Sequence, residues 1–150
     1  MDMNTPIEPF LKGLFDSQQF AVLATQEKGQ PYMSLMAFAA TDDLRGLIFA
    51  TDRSTRKFAN VKNDVHTAVL IDNRSNRSSD TRTAAAVTAI GIAEELTGEE
   101  RERLLGMYLA KHPHLEHFAR LPSCALIRVR VGSYFVVTRF QEVRELHFKP

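Results

Sequence analysis

The stretch 124–131 constrains the fold more than any other. Ala125, Ile127, Val129 and Val131 alternate with Leu126, Arg128 and Arg130. A period of two sets the first group on one side of a strand and the second on the other. One face is therefore apolar, and the opposite face can reach water or a ligand. The chain supplies further strands for it to pair with. Residues 20–25, 32–40, 47–51, 66–71 and 84–96 are β-prone runs. The first three read as an antiparallel meander, joined by turns at 26–30, where Gly29 can turn left-handed, and at 41–46.

In the run 32–40, Met33, Leu35 and Ala37 alternate with Ser34, Met36 and Phe38, and neither set is clearly wet. Packing on both sides is expected. Gly91, inside the run 84–96, marks a bulge or a close approach of another backbone or a ligand. Gly132-Ser133 is expected to turn the chain, 134–140 to return, and 142–148 to extend the sheet or form an exchanged tail. Helices are expected at 5–17, 55–62 and 97–111. Thr5 and Thr97 have capping-box patterns, with Pro6 at the first helical position. Pro113 should end the third helix, and 115–121 forms a further turn. The expected fold is mainly β with flanking helices, in one domain over 1–150. Its six or seven mostly antiparallel strands would form a small barrel filled by its own side chains. A ligand would then lie outside the barrel or between subunits.

The segment Ile48-Phe-Ala-Thr-Asp-Arg-Ser-Thr-Arg-Lys-Phe-Ala-Asn-Val-Lys-Asn63 carries the strongest chemical signal. It reads as a buried strand, a polar turn and a short helix, with Ser54, Thr55, Arg56 and Lys57 crowding the helix start. Free N–H groups there favour anions, so two cations beside them are locally unfavourable. A bound phosphate would remove the conflict. The alternative is that Ser54 or Thr55 simply caps the helix while Arg56 and Lys57 point to water. The polar stretch 72–83 is twelve residues without an apolar anchor, either a mobile surface loop or a ligand-contacting one bearing Arg74, Arg77 and Arg82.

Nineteen basic against eighteen acidic residues leave a formal charge of +1, which gives no general pull toward nucleic acid or anionic membrane. Cys124 is the sole cysteine, so neither an intrachain disulfide nor a cysteine metal cluster can form. The opening Met-Asp-Met-Asn-Thr-Pro lacks the regions of a signal peptide, and no run approaches eighteen uninterrupted apolar residues. A cytoplasmic location is expected. His112, His114 and His117 are the nearest approach to a metal cluster, but Pro113 breaks their frame, and exposed or capping roles near a helix end explain them better. Asp42 and Asp43 fit turn hydrogen bonding. Zincin, nucleophile-elbow, Walker and Gly-x-Gly-x-x-Gly motifs are absent.

The order of Tyr32-Met-Ser-Leu-Met36, Leu47-Ile-Phe-Ala-Thr51, Thr55-Arg-Lys57, Asn60 and Asn63-Asp-Val-His66 resembles the pyridoxamine 5′-phosphate oxidase-like family of FMN-binding split β-barrels. The family commonly has Ser-Arg-Lys where this chain has Thr55-Arg56-Lys57, and Asn-Pro where it has Asp64-Val65. The resemblance implies a homodimer with FMN at the subunit interface. Arg56 and Lys57, with Ser54 and Thr55, would hold the phosphate, and Thr51 lies at the corresponding strand end. Met33, Ser34, Leu35 and Met36 would run under the flavin, with Asn73 or Arg74 from the polar loop completing the pocket.

Departures from the oxidase proper matter. Tyr32 stands where that enzyme has a phosphate-binding Arg. Its substrate-contacting Arg-x-His segment and terminal Arg-Leu-x-Pro are missing. The expected function is therefore flavin-dependent oxidoreduction between a small-molecule donor and acceptor, with no catalytic residue named. The alternatives are a deazaflavin-dependent reductase, the oxidase itself, or a noncatalytic module that binds flavin or haem or serves sensing.

Overall fold

A computed structural model describes residues 6–139 and 141–150. Eight strands form one antiparallel sheet in the order β2-β1-β5-β6-β7-β4-β3, with β8 added on β7. They are β1 (Phe20–Glu27), β2 (Gln30–Ala37), β3 (Ala39–Ala40), β4 (Gly46–Asp52), β5 (His66–Asp72), β6 (Ala85–Glu95), β7 (Cys124–Thr138) and β8 (Glu142–His147). The two ends of that order, β2 and β3, are joined through Phe38 alone, and β2 also touches β4. The sheet therefore curls back on itself as a split barrel.

Its interior is filled. Leu23, Phe49, Val69, Val87, Ile127, Val129 and Tyr134 belong to one buried cluster. The helices are α1 (Ile7–Ser17), α2 (Arg56–Asn63), α3 (Asp80–Thr83), α4 (Gly98–Lys111) and α5 (Glu116–Ala119). Leu104, Leu105, Tyr108 and Leu109 of α4 form a second core with Ile48, Ala50 and Leu126. Strand β4 is thus covered on both faces: Leu47 and Phe49 face the barrel interior, and Ile48 and Ala50 face α4. That is why 47–50 reads as an unbroken apolar run.

The expected run 32–40 is two strands. Phe38 is fully buried between Phe15 and the Lys111 ammonium, and the chain bends there. Lys111 Nζ donates to the carbonyls of Phe15 and Gln18, each at 2.8 Å, which caps the C-terminal end of α1. Pro6 is the N-cap of α1 rather than its first residue, and Thr5 lies outside the described residues. Thr97 caps α4 without a side-chain bond, and the expected capping carboxylate, Glu100, pairs with Arg128.

Gly132-Ser133 is not a turn. Strand β7 runs straight through it, and the register slips between Ile90 and Gly91, leaving Gly132 as the extra residue of a bulge. A Cβ on Gly91 would lie 2.4 Å from the Arg130 carbonyl oxygen, so backbone proximity explains this glycine. The chain reverses after Thr138 instead, where Arg139 takes φ 51°. Residues 142–147 extend the sheet as β8. His112 is buried at the end of α4, its Nε2 2.7 Å from the Phe38 carbonyl oxygen, so it braces the β2–β3 bend; His114 and His117 are exposed. Among the described residues no three His, Cys, Asp or Glu side chains gather in metal-binding geometry.

Candidate flavin-phosphate site

The start of α2 is built by the turn before it. Thr55 is the N-cap in extended conformation, and its hydroxyl accepts from the Phe58 N–H at 3.3 Å. The same hydroxyl donates to the Asp52 carbonyl at 2.9 Å and meets the buried Thr51 hydroxyl at 3.0 Å. Ser54 donates to the Asp52 carboxylate through its N–H at 2.8 Å and its hydroxyl at 2.6 Å. Those bonds, the hydroxyl first, hold the Asp52 carboxyl below its ordinary pKa. The three hydroxyls are therefore occupied in fixing the turn, and the capping role expected of Thr55 is present.

The two cations are different. Arg56 is exposed and Lys57 half-buried, and among the described residues neither has a carboxylate partner. They stand at the open end of the helix, where no preceding turn supplies carbonyls for the first N–H groups. Neighbouring basic residues are already used: Arg53 binds Glu95 and the carbonyls of Pro122 and Cys124, and Lys62 binds Glu95 at 3.0 Å. Two cations beside free helix N–H groups have the charge and donors that suit an anion.

What docks α2 beside β2 is a buried polar relay. Asn60 is almost fully buried, and its Nδ2 donates to the Thr25 hydroxyl at 3.0 Å; that hydroxyl donates to the Tyr32 carbonyl at 3.4 Å. Phe58 and Val61, on the inner side of α2, close the end of the barrel core. The docking brings the Arg56 guanidinium carbon to 5.5 Å from the Tyr32 ring centroid.

Strand β2 carries the rest. Met33 and Leu35 are 70% and 73% exposed, whereas Met36 is turned into the core and Ser34 is half-buried. The side chains expected to be packed on both sides are thus open on the Met33–Leu35 face, and Met36 can serve a ligand only through its backbone. The sheet order ends at β2, so one edge of its backbone is not paired in that order.

Asn73 and Arg74 are not brought to α2 within the chain. Strand β5 starts beside the end of α2 and carries the chain away over seven residues, a span of about 20 Å. Asn73 instead closes the β5–β6 connection, its Oδ1 accepting from the Ala85 N–H at 2.7 Å, and Arg74 pairs with Asp72 at 2.9 Å. The polar loop is organised by Asp80, whose carboxylate accepts from the Ser75 hydroxyl at 2.7 Å and from the N–H groups of Ser75, Asn76 and Arg77. These bonds, the Ser75 hydroxyl first, lower its pKa to about 2. Sequence reasoning missed Thr25 as the partner of Asn60 and Tyr32 as the partner of Arg56. Each is a pairing between distant segments, and only the quoted motif containing Asn60 hinted at the first.

Comparison with known proteins identifies the fold and the family. No curated protein matches the sequence. Among solved structures, a haem-binding protein from Mycobacterium smegmatis superposes with a TM-score of 0.84 at 16% identity, over 97% of this chain and 60% of that one. This chain thus spans about 60% of that protein's length. A FAD-binding protein from Mesorhizobium loti gives 0.68 at 15% identity, over 85% and 90% of the two chains. HutZ, the haem storage protein of Vibrio cholerae, gives 0.73 at 14% identity, over 95% of each. At such identities the likeness establishes the fold, shared by flavin-binding and haem-binding proteins. The family model described as pyridoxamine 5′-phosphate oxidase matches residues 7–137, and the chain belongs to the pyridoxamine 5′-phosphate oxidase-like family.

Proposed function

We propose that the chain binds FMN with its phosphate at the start of α2, and that it is a flavin-dependent oxidoreductase acting on a small molecule. The observation that carries this reading is the pair Arg56 and Lys57, cations without carboxylate partners among the described residues, on a helix N-terminus set beside an exposed apolar strand. A phosphate with a flat, largely apolar ring fits both halves of that arrangement.

Bound flavin supplies one- or two-electron transfer between donor and acceptor. The chain's own groups bind and orient it. Arg56 and Lys57 neutralise the phosphate, and the free N–H groups at the start of α2 donate to its remaining oxygens. Met33 and Leu35 support the ring, while Ser34 and the backbone of β2 hydrogen-bond its edge. No general acid or base is assigned.

A homodimer belongs to the same reading. Phe20, Met33, Leu35 and Leu70 are exposed on β1, β2 and β5, with Leu35, Val22 and Leu70 in direct register across the three strands. Such an apolar strip on an uncovered sheet face is an association surface. A second copy seated there would exclude water from the ring. It is also the route by which Asn73 and Arg74 would reach the site.

The absorption spectrum of protein purified without added cofactor tests the reading. Oxidised FMN absorbs near about 450 nm and haem near about 400 nm. A flavin band, released as FMN on denaturation and bleached anaerobically by NADH or NADPH, is expected. A haem band with no affinity for added FMN would replace flavin chemistry by haem binding.

A further inference from the structure

The turn that builds the start of α2 carries a charge of the wrong sign for a phosphate. Asp52 is the last residue of β4, and its carboxylate accepts from the Ser54 N–H at 2.8 Å and from the Ser54 hydroxyl at 2.6 Å. Its carbonyl accepts from the Thr55 N–H at 3.2 Å and from the Thr55 hydroxyl at 2.9 Å. These bonds close a four-residue turn from Asp52 to Thr55, whose ends lie within about 7 Å of each other. The carboxylate is therefore fixed in the turn that leads directly into Arg56, the first helical residue.

It is also fixed as an anion. The Ser54 hydroxyl, the Ser54 N–H and the Ser123 hydroxyl, in that order, hold its pKa below the ordinary 3.8. The charges nearest in the chain are Arg53, which faces it, and Arg56 and Lys57, the first two residues of α2. From the segment before β7, the neutral Ser123 hydroxyl reaches it. Arg53 is already engaged by Glu95 and by the carbonyls of Pro122 and Cys124. The helix start thus combines two cations with one carboxylate.

Local structure does not demand that negative charge. The turn needs an acceptor at position 52 that reaches the backbone two residues on, and the neutral amide of Asn or hydroxyl of Ser makes the same kind of turn. What the carboxylate adds beyond the turn is an electric field, and that field falls on any anion bound at the start of α2.

We propose that Asp52 is a specificity-determining residue of the α2 site, setting how much affinity the site gains from a second negative charge on the bound phosphate. The proposal rests on the FMN reading above. A phosphate monoester passes from one negative charge to two with a pKa of about 6. Arg56, Lys57 and the free N–H groups attract both forms, whereas Asp52 repels the dianion about twice as strongly as the monoanion. Asp52 acts on the phosphate through space, so riboflavin, which has none, is blind to it.

Asp52→Asn tests this, because it keeps the acceptor oxygen and removes the charge. Asp52→Ser is a second neutral turn former, and circular dichroism checks that both variants fold. Fluorescence titration of the full chain with FMN and with riboflavin, at pH 5.5 and pH 7.5, reads the effect. Asp52 is ionised at both pH values, so the change of pH moves the charge of the ligand. Both variants are expected to bind FMN about five- to tenfold more tightly than wild type at pH 7.5, and about two- to threefold more tightly at pH 5.5, with riboflavin unchanged. FMN affinity that is unchanged or lower, an equal gain at the two pH values, an equal gain for riboflavin, or a gain confined to one variant would overturn the proposal. If Asp52→Asn is inert while Arg56→Ala with Lys57→Ala still weakens FMN, Asp52 loses its role and the phosphate reading stands. If that double variant is inert as well, or wild type binds no FMN, both fall.

Discussion

The Arg56 guanidinium carbon lies 5.5 Å from the centre of the Tyr32 ring, linking the first residue of α2 to the exposed strand β2. The side chain is long and solvent-exposed, and the ring restricts where its charge can sit. Tyr32 therefore acts as a positioning residue for Arg56. An exposed contact of this kind contributes about 0.5–1 kcal/mol. Tyr32→Ala is predicted to weaken FMN about two- to fivefold, with riboflavin unaffected and Tyr32→Phe close to wild type. Fluorescence titration of the two flavins measures it; equal weakening of both would show that Tyr32 serves the ring instead.

The Met33–Leu35 face predicts the assembly. Sedimentation at micromolar concentration is expected to report a dimer, and Leu35→Asp a folded monomer with poor flavin retention. A wild-type monomer that binds FMN stoichiometrically would remove the second copy from the site.

Asn60 predicts a stability effect far larger than its size suggests. Asn60→Ala removes the bond to Thr25 inside the core, at a cost of about 1–3 kcal/mol. In a double-mutant cycle with Thr25→Val the two losses should overlap rather than add. Urea unfolding reads both; full additivity would mean the 3.0 Å bond couples nothing.

Asp80 predicts a pH response confined to the 72–83 loop. Its folded pKa of about 2 lies below the ordinary 3.8. The carboxylate's contribution is thus present above 3.8 and lost progressively as pH falls toward about 2. The protection factors of the Ser75, Asn76 and Arg77 amides should fall through that window, and Asp80→Asn should show the lowered protection already at neutral pH.

The sequence carried the architecture where a pattern was local. The alternation from Ala125 to Val131 holds on its apolar face, with Ala125, Ile127, Val129 and Val131 inside the barrel, but Leu126 on the opposite face is buried under α4 instead of reaching water. It failed where a local signal had two structural meanings. Gly132-Ser133 has the composition of a hairpin turn and is a bulge, while the reversal after Thr138 begins at Arg139, a residue that advertises no turn. Met33 and Leu35 were legible as apolar, but an apolar run does not tell whether its cover comes from the same chain. Arg56, Lys57 and the Thr55 cap were legible because they adjoin in sequence. The separation of Asn73 and Arg74 from them was not, since it depends on the direction of β5 in the sheet.

The phosphate reading of Arg56 and Lys57 is tested most directly by the ratio of FMN to riboflavin affinity, measured in wild type and in the Arg56→Ala, Lys57→Ala double variant. Riboflavin lacks only the phosphate, so contacts to the ring contribute alike to both ligands. Each lost charge-assisted bond is worth about 1.5–3 kcal/mol. The ratio is therefore predicted to fall at least about a hundredfold, through loss of FMN affinity with riboflavin unchanged. An unchanged ratio in a folded double variant would contradict the account.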